Sequence, residues 1–392
     1  MADIVYADNS ATTKPLNVTL DPNCWANPSS AHSLGRVSKA YLEEARARIA
    51  RALGAECKDT IFFTASGTES SNLVLRSCMW DVIVSSALEH DATRKYLLGA
   101  QQQQIILLPN DEHGKVQLPK TLPPPRRAAG HTLRVLVSLI WANNEIGTIQ
   151  DTKTLTAIRQ CVEKWAGVPC FVHLDGVQTP GHMPISLRNG PADFVSLSAH
   201  KFHGPRGVGI LYSRDRATTL SLQPLMHGGG QEHGVRPGTE SVEHIVHAAH
   251  VLEFVQDGGL PARCAHMQRL RDIVHEGLLP FCRQGVVLLT GHPRDRLCHH
   301  LSFCVRHAQR KALLDLIDQN RICVSGSSAC STVQAMASHV LTAIGVPTEF
   351  IHGSVRVSFS ILTTEQEMFH VRDTLVRILK EHQKKIAVRP TQ

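Results

Sequence analysis

Seven short runs of apolar and β-branched residues punctuate the first two thirds of the chain: Thr60–Thr64, Val82–Ser86, Ile105–Leu108, Leu133–Ile140, Cys170–Leu174, Phe194–Leu197 and Val208–Tyr212. They place apolar residues on consecutive positions more than on alternate ones, which is the pattern of strands buried on both faces. Stretches with helical spacing lie between several of them, notably Ser38–Leu53 and Thr154–Trp165. Buried strands alternating with helices predict an α/β fold, with a mostly parallel seven-stranded sheet flanked by helices. In such sheets ligands sit beyond the carboxyl ends of the strands, so polar residues there are the first candidates for chemistry.

The pattern changes after Ser241. Helical spacing dominates Ser241–Asp257 and Ala262–Leu279, then strands are expected near Val286–Leu289 and Leu301–Cys304, and a last helix around Glu365–His382. This reads as a second, smaller α+β lobe. Gln101–Gln104 and Pro123–Pro125 mark loops or edges, and no internal repeat is visible.

Composition removes several classes of function. At 42% hydrophobic and 19% charged residues the chain resembles an ordinary soluble globular protein. No run approaches the ~18 apolar residues of a membrane span, so no membrane partner is expected. The stretch MADIVYADNSATT carries Asp3 and Asp8, unlike a secretory signal or an Arg-rich transit peptide. A cytoplasmic protein is expected, with an organelle left open. The net charge of +7 is scattered, its densest clusters (Arg126-Arg127, Lys384-Lys385) are short, and aromatics are only 5%. Nucleic acid is therefore not an expected partner. Eleven cysteines, none in C-x-x-C spacing, argue against a disulfide framework and read mostly as small buried hydrophobes. His200-x-x-His203 and His299-His300 lack a second ligand pair, so no metal is expected.

Three strand ends carry candidate chemistry. Ser66-Gly67-Thr68-Glu69-Ser70 follows the first run, and a strand, glycine turn and helix start present free N–H groups to an anion such as phosphate; a plain capped helix fits the same residues. Asp175 closes the run Cys170–Leu174, with Gln178 three residues on. A carboxylate there can keep a pyridine nitrogen protonated, although a helix cap would look the same. Ser198-Ala199-His200-Lys201 follows Phe194–Leu197 and precedes the glycine-rich Gly204-Pro205-Arg206-Gly207. A lone lysine is ordinarily a solvated surface residue. One at a buried strand end is suited to Schiff-base chemistry, because desolvation lowers its pKa. Phosphate cradle, pyridinium carboxylate and Schiff-base lysine, in that order, outweigh coincidence.

With these residues the chain resembles the class V, fold-type I enzymes dependent on pyridoxal 5'-phosphate (PLP), in the NifS/IscS-like group of cysteine desulfurases and selenocysteine lyases. The similarity runs from Tyr6 to about Arg377. Its markers stand as Asp8-Asn9-Ser10-Ala11-Thr12-Thr13, Asn27-Pro28-Ser29-Ser30-x-His32, Thr68-Glu69-Ser70, Glu89-His90, Asn143-Asn144-Glu145-x-Gly147, Ser198-x-His200-Lys201, Gly228-Gly229-Gly230-Gln231-Glu232, Arg236-x-Gly238-Thr239 and Ser328-Ala329-Cys330.

The resemblance implies a large PLP-binding domain over residues 14–257, and a small domain of residues 1–13 with 258–392. It implies that Lys201 carries the cofactor, that His90 stacks on the ring and shuttles protons, that Asp175 holds the ring nitrogen, and that Gln178 contacts the ring oxygen. Gly67, Thr68, Ser198 and His200 would bind phosphate, joined by Thr239 from the other subunit of a homodimer. Asn144 and Arg356 would hold the substrate carboxylate, with Asn27 also on the substrate and Asn144 also at the cofactor. Arg suits a carboxylate because its planar fork pairs at two points.

Cys330 lies in Ser325-Gly326-Ser327-Ser328-Ala329-Cys330-Ser331-Thr332, small and polar throughout, which predicts a surface loop. With no apolar neighbours to pack beside, it is the cysteine expected to receive sulfur and deliver it to an acceptor or scaffold protein. The sequence departs from the family at Ser360-Ile361, where Gly-Arg is usual, and at Met336-Ala337, where Glu-Pro is usual. The segments Leu16–Ala26 and Ser77–Asp81 are short for the family. The expected function is a cysteine desulfurase converting L-cysteine to L-alanine with a persulfide on Cys330, for iron–sulfur clusters or another sulfur-containing product. The nearest alternative is selenocysteine lyase; an aminotransferase would not need the loop cysteine, nor a non-catalytic scaffold Lys201.

Overall fold

The computed structural model describes residues 4–57, 60–77, 80–126, 132–215, 218, 222–326 and 337–387. Cys330 and its neighbours Ser328 and Ala329 lie outside them.

The strands are β1 (Val5–Tyr6), β2 (Ile61–Thr64), β3 (Val82–Ser86), β4 (Gln104–Leu108), β5 (Val135–Ile140), β6 (Cys170–Asp175), β7 (Phe194–Ser198), β8 (Gly209–Ser213), β9 (Val287–Leu289), β10 (His300–Val305), β11 (Ile322–Cys323) and β12 (Ser354–Ser358). Seven form the main sheet in the order β2-β8-β7-β6-β5-β3-β4. All its ladders are parallel except the two flanking β8. The seven apolar runs are these seven strands, with ends shifted by one or two residues.

Their composition follows from burial on both faces. Ile61 and Phe63 enter one core while Phe62 enters the other; Val82 and Val84 oppose Ile83 in the same way, as do Val135 and Val137 with Leu136. The first face is covered by α1 (Ser33–Ala52), through Leu42, Ala45 and Ile49. The second is covered by α2 (Gly67–Ser77) and α3 (Asp91–Gly99), through Leu73, Leu75 and Leu97. On the first face α4 (Thr152–Ala166) adds Leu155, Ile158 and Val162. Asp151 caps the start of α4 by accepting from Thr154 N–H (2.8 Å), and Gly167 ends it in the left-handed conformation (φ 69°) that glycine adopts without strain. Next to α1 runs α5 (Val242–Val255), buried through Ile245, Ala249 and Leu252.

The remaining elements build a separate core. The antiparallel sheet β12-β10-β9 packs with α6 (Leu260–Arg283), α7 (Arg310–Asp318) and the later α10. Two short helices, α8 (His339–Ala343) and α9 (Thr348–Ile351), precede β12, and α10 (Glu365–Ala387) ends the described chain. Leu270, Val274 and Leu278 on α6 share this core with Met368, Val371 and Leu375 on α10. The N-terminal β1 joins it by pairing in parallel with β11 (Val5↔Ile322, Tyr6↔Cys323). Among the described residues no helix is long and apolar enough to cross a membrane.

β1, β11 and β12 were not anticipated from the sequence pattern. β12 carries Arg356, buried at 1% exposure and opposite Ser302 in the ladder.

Candidate active site

A cavity of about 420 Å³ opens between the strand ends of the large sheet and the second core. Gly67, Thr68, His90, Asn144, Asp175, Gln178, Ser198, His200, Lys201 and Arg356 all line it. Ten residues chosen from sequence thus converge on one space.

At one end is the start of α2. Ser66 caps it, its Oγ accepting from Glu69 N–H (3.1 Å) and its carbonyl from Ser70 N–H (3.0 Å). The N–H groups of Gly67 and Thr68 have no protein acceptor among the described residues and remain for a ligand. A Cβ on Gly67 would stand 2.6 Å from Cγ2 of Val177, so only glycine leaves the turn this close to the sheet. These residues fit a phosphate group held at a helix N-terminus. Gly67→Ala is expected to weaken cofactor retention: after dialysis the variant should keep less PLP than wild type, measured by absorbance, with unchanged helical content.

His200 borders this end. Burial, with help from Lys201 and Arg206, pushes its pKa down to about 4, so the ring is neutral near pH 7; Nδ1 lies 3.1 Å from Thr12 Oγ1.

The middle of the cavity holds Asp175, at the last position of β6. Its Oδ1 accepts from Val177 N–H (3.1 Å). Burial pushes its pKa up, opposed by His90 and Lys201. A buried carboxyl of this kind fits a protonated ring nitrogen, whose charge would offset the cost of burial. His90 caps α3, its Nδ1 accepting from Ala92 N–H (3.1 Å), so a neutral ring carries its proton on Nε2. Lys201 ends a single 3₁₀ turn after β7. Its Nζ donates to the carbonyls of Ser10 (2.6 Å) and Ala11 (2.7 Å), and Gln178 Nε2 also donates to Ser10 (3.0 Å). The N-terminal segment therefore orients the amine, a role that the Asp8–Thr13 marker did not disclose.

At the other end Arg356 donates through Nη2 to Asp8 Oδ1 (2.9 Å) and through Nη1 to the Asn144 carbonyl (2.9 Å). Its Nε is buried with no partner among the described residues. Asp8 thus fixes the guanidinium at the cavity wall beside Asn144. Ser360, at the departure from the usual Gly-Arg, is engaged in a local turn, its N–H donating to Thr363 Oγ1 (3.0 Å).

Sequence reasoning missed two buried acids here. Glu89 receives a hydrogen bond from Ser86 Oγ (2.6 Å), and burial pushes its pKa up to about 8. Glu145 lines the cavity and accepts from Ser338 Oγ (2.5 Å); burial pushes it up to about 7. A carboxyl raised from 4.5 favours folding while protonated, and that advantage is lost as pH rises through 7. Glu145→Gln is thus expected to raise the melting temperature at pH 8 relative to wild type, with the gap closing toward pH 4. A gap independent of pH would mean that Glu145 is ionised throughout.

Asn27 does not line the cavity. It is exposed, in a local turn whose Oδ1 accepts from Ser29 N–H (2.9 Å). Thr239 is also exposed, on the loop that Arg236 ties to Glu69 of α2 (3.0 Å).

Residues 5–371 match the family described as Aminotransferase class-V. The chain belongs to that family. Class-V members of this kind are PLP-dependent, in keeping with the cradle, carboxyl and lysine above. Over 96% of its length the chain is 35% identical to a cysteine desulfurase IscS of Methanosarcina thermophila, covering 92% of that protein. It is 33% identical to a cysteine desulfurase NifS of Azotobacter vinelandii, over 95% of this chain and 91% of the other. Among solved structures, a NifS-like protein superposes with a TM-score of 0.82 at 32% identity, over 96% of this chain and 100% of that one.

Proposed function

We propose that this chain is a PLP-dependent cysteine desulfurase, converting L-cysteine to L-alanine and taking the sulfur as a persulfide on Cys330. The observation that carries the reading is the convergence of Lys201, on its strand-end turn, with the buried Arg356 in one cavity. The full-length relatives named cysteine desulfurase support it.

Gly67, Thr68, Ser198 and His200 would hold the phosphate, and Asp175 a proton on the ring nitrogen. When bound, PLP supplies an electron sink for negative charge at the substrate Cα. Arg356, steadied by Asp8, binds the substrate carboxylate together with Asn144. Lys201 carries the cofactor, then takes the proton from the substrate Cα. His90, with its Nε2 proton, would serve proton transfer to and from the cofactor. The Cys330 thiolate attacks the substrate sulfur; the Cβ–S bond breaks, the sulfur stays on Cys330, and Cβ gains a proton to complete alanine. A free thiol of pKa ~8.5 is a few per cent thiolate at neutral pH, so some local activation of Cys330 is expected. Thr239 belongs at the phosphate of a partner subunit in a homodimer, and a sulfur acceptor serving iron–sulfur assembly would unload the persulfide.

The test is to incubate holoenzyme with cysteine alone, measure alanine, and map the persulfide by mass spectrometry. Alanine with a persulfide on Cys330 is expected. Turnover of selenocysteine by a protein inert with cysteine would replace this reading with selenocysteine lyase.

A further inference from the structure

Cys264 lies in the second turn of α6, and Cys298 directly precedes the paired histidines that lead into β10. The two thiols are near enough for each to shift the other's ionisation. The sulfurs also rest against consecutive carbonyls of one loop: Cys264 Sγ is 4.0 Å from the Gly181 oxygen and Cys298 Sγ 3.6 Å from that of His182. The two are not equivalent. Cys264 is half-buried, whereas Cys298 is 8% exposed. Cys298, with Arg263 in support, draws the Cys264 thiol below its ordinary pKa despite partial burial, while Cys264 and burial push Cys298 well up. By contrast, burial drives Cys304 up to about 12, and burial with the nearby Glu163 and Asp193 carboxylates does the same for Cys170. A reachable thiol beside a buried second thiol is an arrangement that oxidises selectively.

We propose that Cys264 and Cys298 form a peroxide-reactive dithiol that closes to an intramolecular disulfide. The Cys264 thiolate attacks one peroxide oxygen; the O–O bond breaks, giving a sulfenic acid and hydroxide, which takes up a proton as water. Cys298 then attacks the sulfenic sulfur and the second oxygen leaves as water. Two thiols lose two electrons in all, and one peroxide gains them.

The pair is connected to the cavity. His299, next to Cys298, stacks on His182 with ring centres 3.5 Å apart, and both rings are held neutral by burial. His299 Nε2 lies 3.3 Å from Ser10 Oγ, and His182 Nδ1 lies 3.1 Å from the Gln178 carbonyl. The Ser10 carbonyl accepts from both the Lys201 amine and Gln178, and both Ser10 and Gln178 line the site. An S–S bond of about 2.05 Å draws Cys298 toward α6 and away from the His182 carbonyl, shifting the stack beneath those residues. Oxidation therefore lowers turnover reversibly, a consequence that rests on the desulfurase reading; the cross-link itself does not.

The experiment treats full-length holoenzyme with hydrogen peroxide, blocks remaining thiols by alkylation, and maps peptides without reductant. Expected is a linked peptide pair containing Cys264 and Cys298, two hydrogens lighter than the separate peptides and released by dithiothreitol. It should be absent from Cys264→Ser and from Cys298→Ser. The first of these substitutes a half-buried helix position, so it serves if the second fails to fold. Sulfinic or sulfonic acid on Cys264 with Cys298 still alkylated, or Cys264 linked to another cysteine, overturns the proposal. Turnover is then compared in wild type and Cys264→Ser, which share Cys330. A dithiothreitol-reversible loss confined to wild type supports the connection to the cavity, and an equal loss in both refutes that connection. No alanine from either protein before oxidation would sink the desulfurase reading while leaving the cross-link standing.

Discussion

Alanine formation from cysteine is expected to fall by at least about three orders of magnitude in Lys201→Ala, because on the proposed reading one amine both carries the cofactor and moves the Cα proton, and proton transfer by a placed side chain alone contributes ~10²–10⁴-fold. The turn after β7 and the carbonyls of Ser10 and Ala11 hold that amine in the cavity. Borohydride reduction of wild-type holoenzyme, followed by peptide mapping, should find the pyridoxyl group on Lys201. Finding it on any other lysine would move the site.

The second large effect belongs to Arg356→Ala. The guanidinium is buried and fixed by Asp8 and the Asn144 carbonyl, so its charge is in place before substrate arrives. Removing one partner of a buried, hydrogen-bonded charge pair costs ~2–5 kcal/mol, about 30- to 5,000-fold in kcat/KM. Ile361 offers no replacement charge, which favours the upper part of that range. The PLP absorbance should stay unchanged, because Arg356 stands at the far end of the cavity from the α2 cradle. An unaltered KM would show that another group holds the carboxylate. Asp8→Asn provides the companion measurement: it keeps the hydrogen bond, loses the charge, and should weaken cysteine binding less than Arg356→Ala does.

The large sheet was legible because its strands are buried on both faces, and that burial is written locally as consecutive apolar residues. The lysine turn was legible for a similar reason: the run ending at Leu197 stops abruptly and Gly204 and Gly207 follow. β12 was not legible. Its five residues centre on an arginine flanked by serines at the ends, and they are buried only because β10 and Asp8 approach from elsewhere. Arg356 was reached by family resemblance rather than by pattern. Glu89 and Glu145 carry no local sign of burial, since their desolvation comes from segments distant in sequence. The same holds for Cys264 and Cys298, which in sequence read as two more small hydrophobes.

The pairing of β1 with β11, and of Asp8 and Asn9 with β12, sets a timetable for the making of the protein. Asp8 meets Arg356 across 348 positions, and Asn9 meets the Ser358 carbonyl across 349. A ribosome releases Asp8 hundreds of residues before its partners, at roughly 5–20 residues per second. The α2 cradle, Asp175 and Lys201 have all emerged by residue 201, but the guanidinium opposite them has not been synthesised. The residues proposed to hold the cofactor are thus synthesised well before Arg356, proposed to hold the substrate carboxylate, although the large sheet that brings them together still waits for β8 between β2 and β7. On the proposed reading a nascent chain lacks both Arg356 for the carboxylate and Cys330 for the sulfur until synthesis is almost over.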